Sequence, residues 1–109
     1  MDQKEERAFS KSKKENNLSE DEFEKRCEDV EKLLSDEAIC KRLIVKYDIM
    51  LRVMLKREPT ITGADILNTV IEKYLSGERN WDRKNPKEFW QWADKNMLSE
   101  VYNYANRWV

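Results

Sequence analysis

The sequence contains no histidine, and only two glycines, two prolines and two cysteines stand among its 109 residues. Each shortage excludes something. Without histidine the chain lacks the commonest general base and the commonest metal ligand, so histidine-based triads and zinc hydrolysis drop out. With Gly63 and Gly77 alone, no glycine-rich phosphate loop can form. So few turn residues also leave nothing to punctuate a many-stranded β fold. Cys27 and Cys40 fit no zinc spacing, and two reduced thiols in a reducing cytoplasm are expected rather than a disulfide. No apolar run approaches the roughly 18 residues that span a bilayer, and the N-terminus has no apolar signal segment. The expectation is a non-enzymatic cytoplasmic chain with no cofactor and no membrane segment.

What is present is charge, unevenly placed. Residues 1–37 carry eight Lys and Arg against thirteen Asp and Glu, and residues 38–109 carry thirteen against nine. The formal net charge of −1 is therefore −5 in front and +4 behind. A mildly basic back half is compatible with a nucleic-acid face, although solvated helices are charged in any case. Asp21, Glu22, Glu24, Glu28, Asp29 and Glu31 stand beside lysines at helical spacing and read as solvation and pairing, not as a catalytic carboxylate pair.

The length supports one domain. Residues 1–17 offer little beyond Ala8 and Phe9 to bury and are expected to form a disordered charged tail, with a single helical domain over 18–109. Four helices follow from the apolar periodicity. The first, near 20–34, opens at Ser19 with Glu22 three residues later, and its stripe is Phe23, Cys27, Val30 and Leu34. The second, near 36–57, carries Ile39, Leu43, Tyr47, Met50, Leu51 and Met54. Ile44, Val45, Ile49, Val53 and Leu55 widen that stripe, which marks a central helix with neighbours on several sides. The third, near 63–76, opens at Thr62 with Asp65 and closes at Gly77; Leu67, Val70, Ile71, Tyr74 and Leu75 form its face. The fourth, near 86–107, opens at Asn85-Pro86, and its stripe is Phe89, Ala93, Met97, Val101, Tyr104 and Trp108. The fold expected is an all-α, compact four-helix bundle, with Tyr47, Leu51, Leu67, Ile71, Phe89 and Met97 meeting in its core.

Four tryptophans are many for this length. Trp92 and Trp108 read as core; Trp81 and Trp90 are candidates for exposed recognition. Trp81 lies in the polar stretch 78–85 beside Arg79, Arg83 and Lys84, a chemistry that suits stacking on an unpaired base with phosphate contacts from the cations and from Lys87.

From about Lys41 to Arg107 the order of features resembles region 2 of bacterial RNA polymerase sigma factors of the extracytoplasmic-function type. The matching pieces are Leu43, Tyr47, Leu51 and Met54 on one helix, then the run Asp65-Ile66-Leu67-Asn68-Thr69-Val70-Ile71. An aromatic loop follows at Asn80-Trp81-Asp82, then Phe89-Trp90-Gln91-Trp92 and Met97-Leu98-Ser99. The resemblance implies that Asp65 and Asn68 contact the polymerase clamp. It implies that Arg79, Trp81, Lys84 and Lys87 line a loop on single-stranded promoter DNA, and that Lys95, Asn103 and Arg107 form the DNA side of the last helix. The sequence departs from the family at Asn68-Thr69, where a Gln-Glu pair is usual, and at Asp94 and Glu100, which phosphate would repel. At this length a complete sigma factor is not expected, so the resemblance implies a lone region-2-like domain in transcription regulation. The alternative is a protein-interaction module of phage or mobile-element origin, working through Trp90 and the acidic front without nucleic acid.

Overall fold

A computed structural model describes residues 18–55 and 59–107. The tail expected over 1–17, the end of the second helix at Arg57, and Trp108 lie outside the described residues. Within them the chain forms four helices and no strand: α1 Glu20–Leu34, α2 Glu37–Leu55, α3 Gly63–Leu75 and α4 Phe89–Arg107. The all-α bundle expected from the periodicity is the fold observed. α2, α3 and α4 form a mutually packed triad, and α1 contacts all three less extensively.

Local chemistry sets three of the helix starts. Ser19 Oγ accepts the Glu22 N–H of α1 at 3.1 Å. Glu22 does not return the bond as a capping box would; its carboxylate is taken by Arg26 Nε at 2.8 Å. Asp36 Oδ1 accepts the Ile39 N–H of α2 at 3.2 Å. Thr62 and Asp65 form the full reciprocal box expected at α3. Gly77 takes a φ of 88°, past the C-cap Ser76, where a side chain would be strained.

The fourth start differs from expectation. Asn85-Pro86, a cis peptide, precedes α4 rather than opening it. The Pro86 carbonyl accepts the Trp81 indole N–H at 2.8 Å and so is spent on the loop. Glu88 instead supplies the first helical carbonyl, accepting from Gln91 and Trp92.

The core joins Leu43, Tyr47 and Leu51 of α2 to Ile66, Leu67, Val70 and Tyr74 of α3 and to Phe89, Trp92, Ala93, Met97 and Val101 of α4. Five of the six expected core residues are buried; Ile71 is half-buried against them. Tyr74, Phe89 and Trp92 meet at one end with ring centroids 4.8–5.2 Å apart.

Two stripes are corrected. On α1 the buried face is Arg26, Val30 and Leu33, while Leu34 is exposed; the Arg26 guanidinium is drawn onto α3 and turns the helix with it. On α2, Val45, Ile49 and Val53 face outward rather than toward a further neighbour among the described residues.

Gly63 sits where α3 crosses α2. A Cβ there would lie 2.1 Å from the Ile44 carbonyl oxygen and 3.1 Å from the Asp48 backbone nitrogen. Both are helix backbone and cannot step aside, so the two helices must separate to admit a methyl group. Gly63→Ala should therefore cost about 3 kcal/mol or more, the upper end for overpacking. Leu51→Ala, which empties a wholly buried position, should cost about 2–5 kcal/mol. Urea unfolding of both variants checks this; a loss below about 1 kcal/mol in either would contradict the packing described.

Candidate functional site

The loop between α3 and α4 is the expected nucleic-acid site, and two of its cations, Arg79 and Arg83, are paired within the fold. Arg26 of α1 is buried. Its Nη1 donates to the carbonyls of Tyr74 at 2.7 Å and Arg79 at 3.0 Å. Its Nη2 donates to Asn80 Oδ1 at 2.7 Å, and its guanidinium lies 4.7 Å from the Tyr74 ring centroid. One arginine thus ties α1 to the C-terminal end of α3 and to the loop that follows, where helix carbonyls lack helical partners and favour a cation.

Two further clusters brace the same loop. Arg83 donates to both Asp29 oxygens, at 3.2 and 2.8 Å, and Tyr74 Oη donates to Asp29 Oδ2 at 2.6 Å. Burial first, then the Asp29 carboxylate, pushes the Tyr74 hydroxyl well above its ordinary pKa, against the opposing charges of Arg83 and Arg26. Arg79 donates to Asn96 Oδ1 at 2.7 Å and to Glu100 Oε2 at 2.6 Å. Lys73 also donates to Glu100 Oε2, at 2.7 Å. Burial of Glu100 would raise its pKa, but hydrogen bonds and charge from Lys73 and Arg79 outweigh this and hold it below its ordinary 4.5.

The aromatics are occupied in part as well. Trp81 is half-buried, packs on Phe89 with centroids 5.2 Å apart, and lies under the Arg83 guanidinium at 4.8 Å. Trp92 Nε1 donates to the Asn80 carbonyl at 2.9 Å. A base stacking on Trp81 has Arg83 to displace.

Other candidate residues remain open to solvent. Lys84, Lys87, Lys95, Asn103 and Arg107 are exposed. So are Asp65 and Asn68 on α3, followed one turn later by Glu72; Asp65 spends one carboxylate oxygen on the Thr62 N–H at 2.9 Å. Trp90 is half-buried and walls a groove of about 600 Å³ between α2 and the start of α4.

The structure also settles where the two acids of α4 point. Glu100 is buried in the cluster above. Asp94 accepts bonds from the Tyr47 hydroxyl and from Lys46, the latter at 3.0 Å. The exposed residues of α4 are Gln91, Lys95, Tyr102, Asn103, Asn106 and Arg107, with no carboxylate among them. At 100° per residue, Gln91, Lys95, Tyr102 and Asn106 fall within about 60° of one another. Tyr102 is half-exposed and was not singled out from sequence; its spacing from Lys95 and Gln91 was the available signal.

Cys27 and Cys40 are half-buried and are not joined in a disulfide. Burial, then the nearby Asp36 carboxylate, raises the Cys40 pKa. Among the described residues no group of three Cys, Asp or Glu is placed to hold a metal ion. No described helix is long and apolar enough to cross a membrane. Comparison of the chain with family models, curated proteins and solved structures gives no match.

The Glu100 cluster predicts the acid limb of stability. A carboxyl whose folded pKa lies below its unfolded value stabilises the fold above the unfolded value, and that contribution fades as pH falls through the folded one. Stability should therefore drop as pH falls below 4.5, and Glu100→Gln should be less stable at neutral pH with a shallower acid decline. Urea unfolding across pH 7 to 3 checks it; parallel curves for the two proteins would contradict the assignment. Arg26→Met, which removes the donor shared by the Tyr74 and Arg79 carbonyls and Asn80, should cost about 1–3 kcal/mol in the same assay.

Proposed function

We propose that the chain is a domain resembling sigma factor region 2 that serves transcription regulation in a bacterial setting. It binds single-stranded DNA along the outer face of α4 and RNA polymerase along the exposed edge of α3. The observation that carries this reading is the pairing of Asp94 with Tyr47 and Lys46 of α2 and of Glu100 with Lys73 and Arg79. It removes the charge conflict that the bare sequence posed and leaves an outer face of amides, one tyrosine and cations. Amides hydrogen-bond base edges, an exposed ring offers a stacking platform, and Lys95, Lys84, Lys87 and Arg107 supply phosphate contacts. α4, with Lys95 and Arg107 as its exposed cations, is not basic enough to hold a duplex groove, so the strand bound is unpaired. The α3 edge of Asp65, Asn68 and Glu72 presents an acidic, polar surface of the kind the resemblance assigns to polymerase docking.

A second reading, a protein-interaction module of phage or mobile-element origin, is favoured by the internal pairing of Arg79 and Arg83. That pairing withdraws two phosphate contacts from the loop.

Anisotropy of a labelled single-stranded oligonucleotide, titrated with the full chain at two salt concentrations, separates the two. Wild type should bind more weakly as salt rises. Tyr102→Ala should weaken binding about ten- to a hundredfold, the value of one base stack, and Trp81→Ala should do less. Absence of binding at low salt would discard the nucleic-acid reading and leave the interaction module standing.

A further inference from the structure

We propose that the outer face of α2 is a docking surface for an acidic amphipathic helix of a partner protein. Val45, Ile49 and Val53 are 45%, 52% and 66% exposed. They stand four residues apart, so they form one line along the helix. Exposed aliphatic side chains are unremarkable singly; three of the five exposed large apolar residues among the described residues, aligned on one helix, form a contiguous strip, and such strips mark interaction sites. Ala38, also exposed, heads the line. From Ala38 to Val53 it runs about 22 Å, or four helical turns.

The flanks of the line say what covers it. At 100° per residue, Lys41 and Arg52 lie on one side of the aliphatic line, and Arg42 and Lys46 on the other. All four are exposed. Lys46 is shared with Asp94; the other three make no ion pair among the described residues. The exposed acid of α2 is Glu37, in its first turn, while Asp48 is half-buried and accepts the Gly63 N–H. Beside the line runs the groove of about 600 Å³ walled by Trp90, Ala38, Arg42 and Val45. A helix with aliphatic residues one turn apart and carboxylates on both sides of them matches this surface in spacing, length and charge.

Other occupants match less well. A second copy docked through the same face would set these cations against one another. The acidic outer face of α1, with Glu20, Glu24, Glu28 and Glu31, has one exposed apolar residue to offer, Leu34. Residues 1–17 carry five Lys and Arg against four Asp and Glu, with Met1, Ala8 and Phe9 as apolar side chains, and so lack both the charge and the repeat. A bilayer surface favours Trp, Phe and Leu on the inserted face, and the line holds three β-branched residues instead. The surface is distinct from the outer face of α4, so the inference stands whether or not nucleic acid binds there.

The test uses the full chain and two synthetic helical peptides of roughly 18 residues, long enough for four turns and a fray. Both carry leucine one turn apart; one is flanked by glutamate, the other by lysine in the same places. The glutamate peptide should bind saturably by anisotropy and the lysine peptide should not. Ile49→Asp and Val53→Asp, at exposed sites and checked for retained helicity, should each weaken binding at least about tenfold. Arg42→Glu should weaken the glutamate peptide and admit the lysine one. The proposal is overturned by no saturable glutamate-peptide binding up to about 1 mM, or by equal binding of both peptides. It is equally overturned if both aspartate variants bind as wild type does. Binding to phosphatidylserine vesicles in place of the glutamate peptide would assign the face to membrane. A dimer in sedimentation that Ile49→Asp abolishes would assign it to a second copy.

Discussion

A single buried guanidinium organises one end of this molecule. Arg26 reaches from α1 to the Tyr74 and Arg79 carbonyls and to Asn80, and its remaining edge is held by Glu22. Lysine could not replace it, because the task requires several donors in a fixed planar fork. Once Arg26 is in place, the segment after α3 has one path, and its other charges follow. Arg83 meets Asp29 beside Tyr74, and Arg79 turns under α4 to meet Glu100. The loop becomes part of the fold.

That use of charge decides which surfaces are left for partners. Arginines absorbed by carboxylates are poor phosphate contacts, since an anion must compete with a hydrogen-bonded partner already in place. Pairing likewise holds the acids of α4 against α2 and α3 and keeps them off its outer face. Tight closure of the triad by Gly63 against Ile44 and by Leu43, Tyr47 and Leu51 leaves the other side of α2 uncovered by the described residues. The two candidate surfaces thus arise from interior constraints: one face is cleared of carboxylates, the other keeps aliphatic residues in water.

The apolar pattern of the sequence sufficed for the number and order of helices, because burial and capping are local and periodic. Ser19, Thr62 and Gly77 mark their helix ends where their chemistry says they should. The direction of polar side chains was not legible in the same way. Arg26 stands among Glu and Lys in a run that reads as solvent-facing, and its partners lie 48 to 54 residues away. A trace was present: Arg26 precedes Val30 by four residues and Leu33 by seven, so it shares their face. Glu100 shows the same trace, three residues after Met97. The start of α4 was misplaced because Asn85-Pro86 has the composition of a helix opening, while Trp81 claims the Pro86 carbonyl. Val45, Ile49 and Val53 suggested further packing, since a sequence does not distinguish an apolar face met within the chain from one awaiting a partner.

The central claim is that the loop arginines serve the fold while the outer face of α4 meets the nucleic acid. Backbone-amide NMR of the full chain, titrated with an unlabelled single-stranded oligonucleotide, tests it most directly. The account predicts shifts concentrated at Gln91, Lys95, Tyr102 and Asn106, with Arg26, Arg79 and Arg83 little changed. Shifts centred on Arg79, Trp81 and Arg83, with the α4 face unmoved, would contradict it.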